Sequence, residues 1–347
     1  MCKDTRKMTN KTTSIEIFFE DWKAKINNIE TNKDFEALAL ECFRFQYQNN
    51  PIYKQWCDYI CDDIKGINSI DLIPFLPISF FKSKKVSSLP NIQHQDYFLS
   101  SGTASMQRST HFIYDKNFYI ANTFSCFQQF FDNVEDFCYI CLLPNYLEQK
   151  HSSLICMMDA FIRQSKFTES KFYKTDFQDV IAILEKNESE NRKTILFGVT
   201  YALLDLIETK KLQLKNTIVF ETGGMKGRRK EISKPELHNL LKQGLGVENI
   251  ASEYGMCELF SQAYSKGDGI FRTPKQMQVL IREVNDRKSE NLINHTGIIN
   301  IIDLANIGSC AFIETEDVGR MHQDGSFEIA GRLDNSAMRG CNLMYSN

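Results

Sequence analysis

Apolar and polar positions change rhythm twice along the chain. Residues 14–27, 34–48 and 51–63 carry apolar side chains at spacings of three and four, which predicts three amphipathic helices. Pro74 and Pro77 break that rhythm in Ile73-Pro-Phe-Leu-Pro-Ile-Ser-Phe-Phe81, a connector leading into a sheet. From about residue 95 short runs rich in Val, Ile, Phe and Tyr take over, at 110–114, 137–143, 194–198, 217–221 and 249–252. Helical stretches lie between several of them, at 116–130, 152–165, 176–187, 200–210 and 235–243. Strand alternating with helix predicts an α/β architecture with a largely parallel sheet. Past residue 275 the helices stop. The segments 277–284, 297–303, 310–315 and 326–331 read as strands joined by tight turns, among them Gln323-Asp-Gly325. The expected organisation is a helical segment over 1–73, an α/β core over 74–275, and a β-rich subdomain with a short tail over 276–347.

Composition narrows the function classes. The chain has 347 residues, 42% hydrophobic and 24% charged, enough to bury a full core without disulfides or metals. A net charge of −3 speaks against a general nucleic-acid binder. The densest basic run, Lys226, Arg228, Arg229 and Lys230, is short and reads as a solvated loop. The N-terminus is charged and no apolar signal core follows it. Nor does any stretch approach the ~18 apolar residues of a membrane span, so the expected location is cytoplasmic. The eleven cysteines then read as thiols. Cys138 and Cys141 have the spacing of a redox or zinc pair, but they fall in the apolar run Phe137 to Leu143 and no second pair completes a site.

Four segments carry chemistry. Ser100-Ser101-Gly102-Thr103-Ala104-Ser105 follows the apolar Tyr97-Phe98-Leu99. Its backbone N–H groups and hydroxyls can wrap a phosphate, and it is otherwise a plain loop. Glu221-Thr222-Gly223-Gly224 follows the strand Thr217 to Phe220. Two glycines at a strand's carboxyl end let a flat ring or a phosphate approach the backbone, and they also make an ordinary turn. In Glu253-Tyr254-Gly255-Met256-Cys257-Glu258 the aromatic can stack on a nucleobase and Glu258 can hold Mg²⁺ against phosphate oxygens. Last, Glu316-Asp317-Val318-Gly319-Arg320 is followed by Gly331-Arg332-Leu333-Asp334. A carboxylate there can accept two ribose hydroxyls and an arginine can add a donor; the alternative is a charged β-turn at each place.

In that order the segments resemble the adenylate-forming superfamily, which includes acyl-CoA synthetases, luciferases and peptide-synthetase adenylation domains. The resemblance runs from about residue 74 to 341. It is closest to the acyl-protein synthetases of the bacterial luminescence fatty-acid reductase complex, which are related to phenylacetate-CoA ligases. Pro74-Phe-Leu-Pro-Ile-Ser-Phe-Phe-Lys82, Leu143-Pro-Asn-Tyr-Leu147 with Ser152-Ser-Leu154, Glu253-Tyr-Gly-Met256 and Arg339-Gly-Cys-Asn-Leu343 carry it. The resemblance implies the α/β N-terminal domain of an adenylate-forming enzyme, sheets sandwiched with helices plus a small β-rich subdomain, with the C-terminal domain truncated. It implies an acid–thiol ligase that uses ATP and Mg²⁺. Ser101, Gly102 and Thr103 would hold the β- and γ-phosphates, and Gly223 and Gly224 would line the adenine. Tyr254, with Gly255 beside it, would stack on that ring. Glu258 would bind Mg²⁺, Asp317 the ribose hydroxyls with help from Arg332, and Asp334 would mark the hinge.

Two positions depart from the family pattern. Cys257, a weak hydrogen-bond donor, stands where a Thr or Ser touches the α-phosphate. The phosphate loop continues Ser105-Met-Gln-Arg108 in place of Gly-x-Pro-Lys, and Arg108 can supply the missing charge. The catalytic lysine of the superfamily's C-terminal domain has no counterpart. The resemblance also makes Cys341, beside Arg339 and Gly340, the thiol that carries the acyl group. The expected partners are a carboxylic acid of the fatty-acid class and an acyl-accepting reductase or carrier protein. Transfer to coenzyme A and a non-catalytic scaffold that binds acyl groups or nucleotides are the alternatives. Phe118, Phe124, Phe127, Phe130 and Phe131 read as core or as an acyl pocket, and His111 and His151 as structural histidines.

Overall fold

A computed structural model describes residues 17–89, 96–101, 107–144, 151–174, 177–223, 232–284 and 286–333. The chain opens with three helices, α1 over 17–27, α2 (Asn32–Asn49) and α3 (Pro51–Ile60). Thr31 caps α2 in a reciprocal box with Asp34, and Asn50 caps α3 ahead of Pro51. A short strand β1 (Leu76–Pro77) and one helical turn α4 (Phe80–Ser83) follow. The hairpin β2 (Asp96–Leu99) and β3 (Thr110–Ile113) then leads into α5 (Lys116–Gln128).

Next come β4 (Cys138–Leu142), α6 (Ser153–Gln164), β5 (Lys171–Tyr173), α7 (Phe177–Ser189), β6 (Thr194–Val199), α8 (Thr200–Thr209), β7 (Thr217–Thr222), α9 (Lys234–Leu245), β8 (Ile250–Tyr254) and β9 (Ala263–Ser265). These strands form one sheet in the order β5-β4-β6-β7-β8-β9, parallel except for β9 at its edge. Strands β4 and β6 are buried along their whole length, as central parallel strands are. Both Cys138 and Cys141 therefore lie in the core.

A second sheet takes β10 (Ile270–Phe271), β11 (Met277–Arg282), β12 (Thr296–Asp303), β13 (Phe312–Met321) and β14 (Phe327–Arg332) in the order β10-β14-β13-β12-β11. Early strand β1 pairs in parallel with β13. The segment 316–320 is thus strand throughout, and the turn alternative for it is excluded.

Two apolar cores result. One surrounds the parallel sheet, and the five phenylalanines divide between the cores: Phe127 is buried among Phe131, Phe137, Phe161 and Tyr264 of that sheet's core. The other core joins α1–α3 to the second sheet, through Trp22, Phe43 and Tyr53 against Leu304, Ile307 and Phe312. Polar bonds tie the same pieces. Trp22 Nε1 donates to Leu304 O at 2.8 Å, and Asn50 Nδ2 to Ser309 O at 2.9 Å. Gln46 Nε2 donates to the carbonyls of Asn306 and Ile307, both at 3.0 Å, while its Oε1 accepts from Ala311 N at 2.9 Å. No described helix is long and apolar enough to cross a membrane.

Candidate active site

The carboxyl ends of β7 and β8 open on a cleft of ≈ 440 Å³, where ligands bind in open α/β sheets. Ser100 and Ser101 after β2, Arg108 before β3 and Ser152 at the start of α6 reach it. So do Thr222 and Gly223, Glu253, the run Gly255–Glu258, and Arg332 of β14. Segments spread over more than two hundred residues meet there. Ser101, Gly223, Gly255, Cys257, Glu258 and Arg332, all singled out in the sequence, share its wall. Gly102, Thr103, Gly224, Asp334, Arg339 and Cys341 lie outside the described residues.

The loop between β2 and β3 is closed at its base by its own serines. Ser100 N donates to Ser109 O at 3.1 Å, and Ser109 N to Ser100 Oγ at 2.9 Å. Arg108 Nε donates to Ser100 O at 2.6 Å, which holds a cation on the cleft wall. Lys82 adds a second cation, 3.5 Å from Glu316.

The segment carrying Glu258 is fixed through its backbone. His111 Nδ1 lies 2.7 Å from Cys257 O, and its Nε2 3.0 Å from Asn306 Oδ1. Since a carbonyl only accepts, His111 Nδ1 carries a proton. Asn306 Nδ2 donates to Glu258 O at 2.7 Å and to Cys310 O at 2.9 Å. One turn on, Asp303 accepts from Phe260 N at 2.7 Å, Ser261 N at 2.9 Å and Ser261 Oγ at 2.7 Å. Burial pushes the Asp303 carboxyl up against the pull of these bonds. The Cys257 thiol is pushed far up, by burial first and then by neighbouring Glu258, with Arg108 acting the other way. A thiol so held is an inert wall group. His111 reads as structural from the sequence alone, and nothing there marks Asp303 or Asn306, because no local pattern flags side chains whose partners lie up to 195 residues away.

Behind the wall a three-membered chain orders the far end. Tyr254 OH donates to Asp317 Oδ2 at 2.8 Å, and Arg332 Nε donates to Asp317 Oδ1 at 3.0 Å. Asp317 and Arg332 face each other across β13 and β14. The Tyr254 ring is buried edge-on to Phe271 and Phe327, with centroids 6.0 and 5.7 Å away. Gly223 has φ 80°, a conformation only glycine takes without strain. Thr200 donates its hydroxyl to Glu221 and sits 3.3 Å from Gly223 O, so the turn after β7 is pinned from α8.

Among the described residues no group of three or more His, Cys, Asp or Glu side chains could hold a metal alone. Glu258, one of three carboxylates on the cleft wall with Glu253 and Glu316, suits Mg²⁺ that arrives with nucleotide phosphates, since that ion keeps most of its ligands from water and phosphate.

No family model matches the chain. It is 20% identical over 345 residues to the long-chain-fatty-acid–luciferin-component ligase of Aliivibrio fischeri, covering 90% of this chain and 88% of that one. Among solved structures it is similar to an open conformation of 2-hydroxyisobutyryl-CoA ligase in complex with 2-HIB-AMP and CoA. There the TM-score is 0.60 at 12% identity, over 88% of this chain and 75% of that one. ATP-bound MatB from Rhodopseudomonas palustris gives 0.50 at 14% identity, over 71% of this chain and 50% of that one. The fold is therefore the α/β fold of adenylate-forming enzymes, as the resemblance implied, and the likeness to the luciferin-component ligase extends over most of both chains.

Proposed function

We propose that the chain is a ligase that activates a carboxylic acid with ATP and passes the acyl group to a thiol. The observation that carries this reading is the meeting in one cleft of Ser101, Arg108, Gly223, Glu258 and Arg332, on a fold shared with a ligase holding an acyl-adenylate. In the first step a carboxylate oxygen attacks the α-phosphorus and the bond to pyrophosphate breaks. In the second a thiolate attacks the acyl carbon, the C–O bond to AMP breaks, and a thioester forms. Adenylation replaces an oxide with a good leaving group, so one hard step becomes two easier ones.

Each residue has a place in this scheme. Ser101, Gly102, Thr103 and Arg108 receive the pyrophosphate charge as it develops. Gly223 and Gly224 border the adenine, while the Tyr254 ring, buried behind the cleft wall, offers no face for the stacking that the resemblance implies. Asp317, oriented by Arg332 and Tyr254, accepts from the ribose hydroxyls. Glu258 would hold Mg²⁺, which when bound offsets phosphate charge. The acceptor is Cys341, and the acyl group moves on to a reductase or carrier protein in the cytoplasm. The long-chain acid named for the Aliivibrio fischeri relative points to an acyl rather than an aryl acid.

Intact-protein mass after incubation with Mg-ATP and a panel of acids tests the scheme, with Cys341→Ser alongside. The expected result is an acyl mass gain that hydroxylamine removes and that the serine variant lacks. AMP formed only with coenzyme A present would move the acceptor to that thiol. Neither adduct nor AMP with any acid would leave a non-catalytic scaffold.

A further inference from the structure

Along β8, Tyr254 and Glu253 point to opposite faces, as successive strand residues must. Tyr254 faces Asp317 and the second sheet. Glu253 faces the other way, beside Tyr119 of α5 and Met157 of α6, which line the same cleft. If the nucleotide occupies the Tyr254 side, the acid substrate meets Glu253. This inference rests on the adenylation reading.

The Glu253 carboxyl is an odd group for a fatty-acid pocket. Among the described residues it has no hydrogen-bond donor and no cation, and protein surrounds it except where it opens on the cleft. Burial pushes its pKa up to about 7. Its charge is felt by neighbours: burial first and Glu253 second push the Tyr264 hydroxyl up. Gly255 makes room for it, because a Cβ there would run into Glu253 Oε1 and come within 3.3 Å of Gln262 Cγ. Gln262 thus stands on the same spot. Its Nε2 donates to Phe260 O at 3.1 Å, while its buried Oε1 finds no partner among the described residues. Both side chains come up to Gly255, and neither the Glu253 carboxyl nor Gln262 Oε1 has a donor among the described residues. A saturated chain laid against them would leave both unpaired, which a hydrogen-bonding pocket penalises heavily.

We propose that Glu253 and Gln262 form a polar subsite that reads a hydrogen-bond donor, a hydroxyl or an amine, on the chain of the acid substrate. A purely hydrocarbon acid is then the poorer substrate. Such a role fits the cleft, whose described wall is mostly serine, glutamine and charged side chains.

The test is AMP release from Mg-ATP with octanoic acid and with hydroxy- and aminooctanoic acids, the substituent walked along the chain. Wild type, Glu253→Gln and Glu253→Leu are compared, with a thermal melt to confirm folding. The expected result is at least a tenfold higher kcat/KM for one donor-bearing acid over octanoic acid in wild type. Glu253→Leu should reverse that order. Glu253→Gln should keep a hydroxy acid and lose an amino acid, which tells the two donors apart. Equal use of octanoic and substituted acids in wild type, unchanged in folded Glu253→Leu, overturns the subsite and leaves adenylation standing. No AMP with any acid overturns both.

Discussion

In the proposed scheme one carboxylate, Asp317, serves packing and ribose binding together. It accepts from buried Tyr254 and from Arg332, one oxygen each. Asp317→Asn keeps an oxygen for the tyrosine and loses the charge, so the KM for ATP should rise about tenfold or more with little change in Tm. Bonds to a charged group contribute about 1.5–3 kcal/mol, and 1.4 kcal/mol is about a tenfold change. Asp317→Ala also strands the Tyr254 hydroxyl, and denaturant unfolding should show a further loss of about 1–3 kcal/mol. Equal ATP KM in wild type and both variants would remove Asp317 from the nucleotide site. Glu253 gives a pH-dependent counterpart. Its folded pKa of about 7 lies above the ordinary 4.5, so the unfolded chain ionises first as pH rises. Stability is fullest below the ordinary value and falls as pH climbs through about 7. Glu253→Gln should match wild type near pH 4 and become the more stable protein between pH 5 and 7, by a few kcal/mol at most, with the difference levelling above. A constant difference across that range would mean the carboxyl is well solvated when ionised.

Elements were legible where many residues repeat a pattern and illegible where few do. The three N-terminal helices, β4, β6, β7 and the helices between them stand close to their periodic runs. Strands β5, β9 and β10 are two or three residues long and leave no period to read. The charged run Glu316 to Arg320 left a β-turn open as an alternative, but Gly319 lies mid-strand, where a Cβ would come within 2.5 Å of Glu328 O and 2.7 Å of Ile299 Cδ1. Close cross-strand approach, not a bend, requires it. The site was half legible for a related reason. The segments proposed to touch ligand are local runs, whereas the clamps that aim them are tertiary. Asn306, between β12 and β13, is one such clamp, bonded to His111, Glu258 O and Cys310 O. Asn306→Ala should cost about 3 kcal/mol, because several buried partners are left unpaired at once. It should also raise the ATP KM through the displaced Glu258. A stability loss below about 1 kcal/mol in urea unfolding would show that water replaces the side chain.

At the scale of the whole molecule, the N-terminal helices bear on a cleft they do not line. Gln46 on α2 is fully buried, and its amide holds the carbonyls of Asn306 and Ile307 and the N–H of Ala311. Asn306 in turn holds the backbone of Glu258 and, through His111, that of Cys257. A continuous chain of bonds therefore runs from the core under α1–α3 to the cleft wall. Because α1–α3 share an apolar core with the second sheet, loosening that loop exposes Ile307 and Phe312 as well. Gln46→Leu keeps much of the volume and removes every bond, so unfolding free energy should drop by about 3 kcal/mol. If the chain of bonds transmits position, the same variant raises the KM for ATP severalfold at a temperature where it is fully folded, and Lys54→Ala on the surface of α3 does not. A lowered unfolding midpoint with an unchanged ATP KM would confine Gln46 to stability. It would also mean that β8 and the hairpin of β2 and β3 aim Glu258 without help from the N-terminal helices.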